Sequence, residues 1–182
     1  MTGAGRLGQV PAYAAVVDLP VGGLRLGIRM EGEAVAEFDF LRPAAARRAQ
    51  VRAGAGVAQR CVEQLLRYLE DPSYRFRLPL APRGSAFQRR VWAELAAIPP
   101  GRVRRYGEIA RRLGTSARAV GAACRSNPLP IVVPCHRVVA VDGLGGYSGE
   151  TAGPLHGLKP WLLAHEGYRD GSAQRGRAAA TR

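Results

Sequence analysis

The amino-acid sequence predicts an α/β protein in two parts. A small antiparallel sheet with one helix occupies residues 1 to about 80, and a mostly helical part with a helix-turn-helix occupies residues 81–168. Three observations predict this. Apolar residues alternate at period two over Leu24–Met30, whereas over Val57–Leu69 they recur at spacings of three and four. A stretch with two prolines and little periodicity, Ser73–Gly84, then separates that helix from a second set of helical stripes.

In order, Tyr13–Leu19 is a β-rich run, Leu24–Met30 a half-buried strand and Ala34–Phe40 a third strand. Turn residues at Pro20–Gly23 and Glu31–Glu33 join them into an antiparallel meander. Val57, Cys61, Val62, Leu65, Leu66 and Leu69 make one stripe of a helix that Asp71-Pro72 stops. Cys61 on this stripe reads as a core residue. The second part opens at Ser85, with Gln88 three residues on as in a capping box. Phe87, Val91, Trp92 and Leu95 form the next stripe, and Pro99-Pro100-Gly101 ends it. After an extended basic run, Arg102–Tyr106, come a short helix Gly107–Leu113 and, with Gly114 at C′ and Thr115 or Ser116 as cap, a helix Ala117–Arg125. This pair is the helix-turn-helix. Its second helix is rich in small residues, Ala117, Ala119, Gly121, Ala122 and Ala123, with Arg118 the one long basic side chain near its start, so its backbone could approach a neighbouring surface closely; packing against the core would use the same small residues. A last helix covers Leu158–Glu166, with Pro160 tolerable only in its first turn. Residues 1–10 and 169–182 read as loose, the latter as a disordered tail.

The chain has 182 residues and a formal charge of +13, an excess that suits a polyanion. Lys159 is the only lysine; the rest of the positive charge is arginine, whose planar fork of donors matches phosphate. Three cysteines, Cys61, Cys124 and Cys135, make no disulfide framework, and no paired ligand spacing suggests a metal. No apolar stretch approaches the roughly 20 residues of a membrane span. The expectation is a reduced, cytoplasmic, monomeric protein without cofactor or metal.

The stretch Asn127–Val139 stands out. The apolar run Leu129–Val133, stiffened by three prolines over Pro128–Pro134, leads to Cys135-His136-Arg137. A buried run that ends by presenting one thiol suits a nucleophile, although a core strand followed by a structural cysteine has the same look. Adjacent residues of an extended segment point to opposite faces, so a water is expected to bridge Cys135 and His136. A carboxylate would then orient the imidazole.

Pro-Cys-His-Arg-Val, with Asn-Pro-Leu-Pro before it and Gly-Tyr-Ser-Gly after it, resembles the active-site signature of the O6-alkylguanine-DNA alkyltransferases, the methylated-DNA–protein-cysteine methyltransferases. The resemblance runs from Phe87 to about Gly167 and includes the string Ala117–Gly121. It implies a ribonuclease-H-like first domain and a winged-helix-like second. It implies single-turnover transfer of an alkyl group from guanine O6 in duplex DNA to Cys135, with the nucleotide flipped out. His136 and Glu166 would complete a relay, Asn127 would order the turn near the thiol, and Tyr106 would donate to the guanine. Thr115, Arg118, Ala119, Gly121, Arg125 and Arg137 would bind DNA, with Arg118 filling the vacated stack. Val138, Tyr147 and Ser148 would frame the base. Compared with the family pattern, Gly149–Gly157 is several residues longer, which reads as a lid or a surface insertion.

Two other readings compete. A DNA-binding lesion sensor or regulator would use the same helices without chemistry, but related sensors lack the cysteine. A cysteine hydrolase would use a Cys-His-Glu triad, which the basic charge and the helix-turn-helix disfavour.

Overall fold

Leu26 and Ile28 alternate along the chain and are buried, and in the computed structural model they lie on the central strand of a sheet, with buried Leu24 just before it. The structure describes residues 12–46, 50–51, 56–147 and 154–169. These fall into two compact units, one from residues up to 85 together with 127–132, the other from 86–126 and 133 onward. Residues 127–132, which the sequence reading placed in the second domain, thus group with the first unit.

The first unit holds strands β1 (Ala12–Tyr13), β2 (Ala15–Asp18), β3 (Arg25–Glu31) and β4 (Ala34–Leu41), a short helix α1 (Pro43–Ala46), β5 (Gln50–Val51) and helix α2 (Val57–Glu70). The expected meander is present as the antiparallel order β2-β3-β4. Tyr13 belongs instead to β1, which pairs in parallel with β5, a pairing too short to leave a periodic signal. Gly27 makes room for it: a Cβ there would meet the Tyr13 ring at 2.5 Å.

On α2 the buried residues are Val57, Ala58, Cys61, Leu65 and Tyr68, while Leu66 is 47% exposed. The expected stripe was therefore drawn too wide. Leu66 lies five residues from Cys61, well around a helix of 3.6 residues per turn. The expected linker is tied to this unit. The Gln64 side chain holds both backbone groups of Arg77, and Val35 bonds to Pro79 and Ala81.

The second unit contains α3 (Ala86–Ala96), β6 (Arg104–Arg105), α4 (Tyr106–Leu113), α5 (Ala117–Arg125), a 3-10 turn at Cys135–Arg137, β7 (Val138–Val139) and α6 (Pro154–His165). Val91, Trp92 and Leu95 bury one face of α3, and the Trp92 indole N–H donates to the Ala123 carbonyl at 2.8 Å, fixing α5 on α3. Gly114 takes the left-handed conformation at φ 65°, and Thr115 N–H returns to the Ala110 carbonyl, closing α4. Ser116 is the cap of α5: its Oγ accepts from Ala119 N–H at 3.2 Å.

α6 begins at Pro154, four residues earlier than expected, so Pro160 lies inside the helix rather than in its first turn. Burial of Leu155, Leu158, Leu162 and Leu163 outweighs the lost backbone bond. Gly167, at φ 76°, ends it. Of the long Gly149–Gly157 segment, residues 154–157 are the first turn of α6, while 149–153 lie outside the described residues, as do Ser148 and both chain ends. Among the described residues no helix is long and apolar enough to cross a membrane, and no group of three His, Cys, Asp or Glu could hold a metal ion.

Candidate active site

Leu129, Ile131 and Val133 are buried, as their apolar character demands, but the run they form is a series of turns and not a strand. Ile131 has φ 76°, a conformation that a β-branched residue adopts only when its surroundings impose it. Pro134 then leads into a 3-10 turn, where Cys135 N–H donates to Val133 at 2.8 Å and Arg137 N–H to Pro134 at 3.0 Å. The expected extended geometry at Cys135-His136 is thereby corrected. β7 follows at once and pairs in parallel with β6, Arg104 opposite Val138. This anchors the turn to the segment that delivers Tyr106.

All three turn side chains are buried, and two of them meet Glu166 just beyond the end of α6. His136 Nε2 lies 2.9 Å from Glu166 Oε1. Arg137 donates from Nε to Oε2 and from Nη2 to Oε1, both at 2.8 Å, and from Nη1 to the Ile98 carbonyl. Burial raises the Glu166 carboxyl, but the hydrogen bonds from His136 and Arg137, with the charge behind them, outweigh it and hold it at about 2. For His136, burial works against the charged ring and wins over Glu166, with Arg137 and Lys159 adding to the downward shift. A neutral imidazole that donates its Nε2 proton to Glu166 keeps its lone pair on Nδ1. That atom is buried and meets no hydrogen-bond partner among the described residues. Gly101 lets the chain pass close by: a Cβ there would stand 2.8 Å from the Glu166 carbonyl oxygen.

Cys135 lines a cavity of about 670 Å³. Its Sγ stands 4.0 Å from the Tyr147 hydroxyl. The helix α5 forms one wall with Ala117, Arg118, Gly121, Ala122, Cys124 and Arg125; Tyr106, Gly146 and Tyr147 complete the lining. Burial, then the nearby sulfurs of Cys124 and Cys135, push the Tyr106 phenol up to about 12, so it remains a donor. Behind this surface Lys159, 1% exposed, donates to the carbonyls of Val138 at 2.7 Å and Gly146 at 3.3 Å. Its Nζ lies 5.8 Å from the centre of the Tyr106 ring. Burial lowers its ammonium to about 8 against the opposing pull of Cys135 and Cys124.

The structure thus brings together Cys135, Tyr106, Tyr147, Arg118, Gly121 and Arg125 around one cavity, with His136 and Glu166 paired beside the thiol's turn. Arg137 does not lie where its expected role would put it: it is 8% exposed, and three of its five donors go to Glu166 and Ile98, away from the cavity surface. Val138 is fully buried and does not line the cavity; its carbonyl serves Lys159. Thr115 and Ala119 lie at the start of α5 outside the lining. Asn127 belongs to the first unit, where its Oδ1 accepts from Leu129 N–H at 3.0 Å and orders the turn. Sequence reasoning missed Lys159 and Cys124. The signal for Lys159 was its being the only lysine; for Cys124, its place three residues after Gly121 on the bare face of α5.

Comparison with known proteins points the same way. The family model described as "6-O-methylguanine DNA methyltransferase, DNA binding domain" matches residues 86–168. The methylated-DNA–protein-cysteine methyltransferase of Shigella flexneri is 52% identical over 94 residues, which are 50% of this chain and 52% of that protein. The chain therefore spans about half the length of such curated relatives. The protein of the same name from Archaeoglobus fulgidus is 48% identical over 106 residues, 57% of this chain and 71% of the relative. Among solved structures, the O6-methylguanine methyltransferase of Mycobacterium tuberculosis superposes with TM-score 0.67 at 34% identity, covering 87% of this chain and 95% of that one. The OGT of the same organism in complex with DNA gives TM-score 0.68 at 36% identity, over 83% and 90%.

Proposed function

The chain belongs to the O6-methylguanine DNA methyltransferase family, and from that premise we propose that it repairs DNA by moving the alkyl group of O6-alkylguanine onto its own Cys135, once per molecule. The observation that carries this reading is the thiol at the cavity wall, with a buried, neutral His136 on the same turn whose charge balance is already settled by Glu166 and Arg137. In this reading the Cys135 proton passes through a water to His136 Nδ1, and Glu166 steadies the imidazolium that forms. The sulfur attacks the alkyl carbon, the carbon–O6 bond breaks, and guanine leaves with a proton. Tyr106, held protonated, donates to the base as charge develops on it. A thioether carbon is a poor target for water, so the transfer is final.

The substrate atom lies inside the duplex, so the nucleotide must leave the stack to reach the cavity. Arg118, exposed at the start of α5, is the candidate to fill the gap, and Arg125 to contact phosphate. Asn127 is proposed to order the turn before the thiol, Thr115, Ala119 and Gly121 to lie against the DNA, and Tyr147 and Ser148 to frame the base. In finer terms the fold is read as a ribonuclease-H-like domain over residues 1–80 and a winged-helix-like one over 81–168. The protein is read as monomeric and cytoplasmic.

Intact mass after incubation with an O6-methylguanine oligonucleotide tests the proposal. The expected result is a permanent gain of one methyl group on Cys135, absent from Cys135→Ala, which still binds the DNA. A methyl group on Cys61 or Cys124, or none at all, overturns it. Arg118→Ala is expected to slow repair of duplex markedly while leaving reaction with a free O6-alkylguanine base nearly unchanged; equal losses on both remove the proposed role of Arg118.

A further inference from the structure

The alkyl-transfer reading uses one thiol, but the cavity has two. Cys124 sits in the last turn of α5 and lines the same space as Cys135. Its spacing from Gly121, three residues, and from Ala117, seven, sets it on the helix face that bounds the cavity. Cys61 is different in kind: it is fully buried on the apolar face of α2, in the first unit. Two cysteines lining one cavity, with the phenols of Tyr106 and Tyr147 in the same lining, form a place where oxidation of one thiol can be answered by the other.

We propose that Cys124 and Cys135 are an oxidisable dithiol, and that a hydroperoxide entering the cavity converts them to a reducible disulfide. The first step attacks the terminal peroxide oxygen with the Cys135 sulfur; the O–O bond breaks, the other oxygen leaves as alcohol or water, and Cys135 becomes a sulfenic acid. In the second, the Cys124 sulfur attacks the Cys135 sulfur, the S–O bond breaks, and hydroxide leaves with the Cys124 proton as water. Two thiols lose two electrons and two protons in all, and the peroxide takes up both. Another thiol reverses the bond by exchange. Two further observations support the pairing. Burial, and after it Cys135, push the Cys124 thiol up to about 12, and charge on either sulfur acts on both Tyr106 and Lys159. Cys124 therefore remains a thiol at neutral pH, and the first reaction with peroxide is assigned to Cys135.

The consequence is protection of a nucleophile that can act only once. Without a second thiol, further oxidation of a sulfenic acid gives sulfinic and sulfonic acids, which thiols do not restore. The proposal shares Cys135 with the alkyl-transfer reading but does not depend on transfer, and its test uses no DNA, so either can fail alone.

The test treats the full chain with one equivalent of hydrogen peroxide, blocks remaining thiols and maps peptides without reductant. Trypsin cuts after Arg118, Arg125 and Arg137, so the two thiols fall in adjacent peptides, 119–125 and 126–137. The expected product is one linked pair of these peptides, lighter by two hydrogens and separated by dithiothreitol. In Cys124→Ser, irreversible oxidation of Cys135 is expected to rise several-fold, with correspondingly less thiol recovered on reduction. Addition of two or three oxygens to Cys135 at the same rate in parent and variant overturns the proposal, as does a disulfide to Cys61. If Cys124→Ser fails to fold, the peptide map of the parent decides alone, because absence of the linked pair overturns the proposal by itself.

Discussion

Two arginine–carboxylate pairs, one from each unit, have a guanidinium donating at about the same length, and they are not worth the same. Arg29 meets Asp39 at 2.7 Å with side chains 38% and 28% exposed, beside the Tyr13 ring. Arg137 meets Glu166 at 2.8 Å with side chains 9% and 0% exposed. Water solvates the first pair in any arrangement, so losing a partner there leaves a charge that solvent can accept. The second pair has no such recourse. Glu166 is a carboxylate deep in the unit, and a neutral His136 cannot balance it. Arg137 does so, and its charge adds to burial, the larger cause, in keeping the imidazole uncharged and able to act as a base. Identical functional groups thus meet in water in one unit and help to fix a protonation state in the other.

The largest effect is expected from Arg137→Ala. It strands a buried carboxylate and should cost about 3–5 kcal/mol of stability, the range for breaking one side of a buried pair. Urea unfolding would measure it, and the imidazole should then titrate higher by NMR, as the ring takes over as counter-charge. A loss below about 1 kcal/mol, the range of exposed pairs, would place Arg137 with Arg29 and end the contrast.

Acid should act next in size, and on the second unit. The folded value of His136 lies below the ordinary 6.5, so the unfolded chain binds that proton first. Stability is then full above 6.5 and declines as pH falls below it. Glu166, at about 2 against an ordinary 4.5, contributes fully above 4.5 and loses its contribution as pH falls toward 2. Urea midpoints at pH 7 and pH 5 should therefore differ, the lower at pH 5, and His136→Gln should shrink the difference. An equal difference in that variant would move the acid sensitivity elsewhere.

Arg29→Ala should have the smallest effect, about 0–1 kcal/mol, because its pair is more than a third exposed on the arginine side and screened by solvent. A cost near that of Arg137→Ala would mean that the Tyr13 contact matters more than the charge.

These networks were unevenly legible before folding. Strand alternation at Leu24–Ile28, the α4–α5 corner with Gly114 at its end, and the Cys135-His136 motif were readable because period, turn chemistry and adjacency are local properties. Glu166 was reached through resemblance, since 30 residues separate it from His136. Arg137 was misread for a physical reason: an arginine in a strongly basic chain looks like a phosphate contact until a distant carboxylate is seen to claim it. Lys159 stayed hidden because its partners are two backbone carbonyls, Val138 and Gly146, which have no sequence identity to recognise. The internal Pro160 was a similar case, with leucine burial overriding a local rule.

That lysine has a practical consequence outside catalysis. It is the only side-chain primary amine in the chain, it is 1% exposed, and burial brings its ammonium down to about 8. An amine-selective ester added to the folded protein can acylate Lys159 only when the second unit opens, and the solvated amine then returns to the ordinary lysine range of about 10.4, where its free-base fraction rises with pH. The labelling rate of this one position is therefore a clock for local opening of the unit that contains the thiol, readable by mass without an engineered probe, and alkylation of Cys135 can be followed for its effect on that clock in the same spectrum.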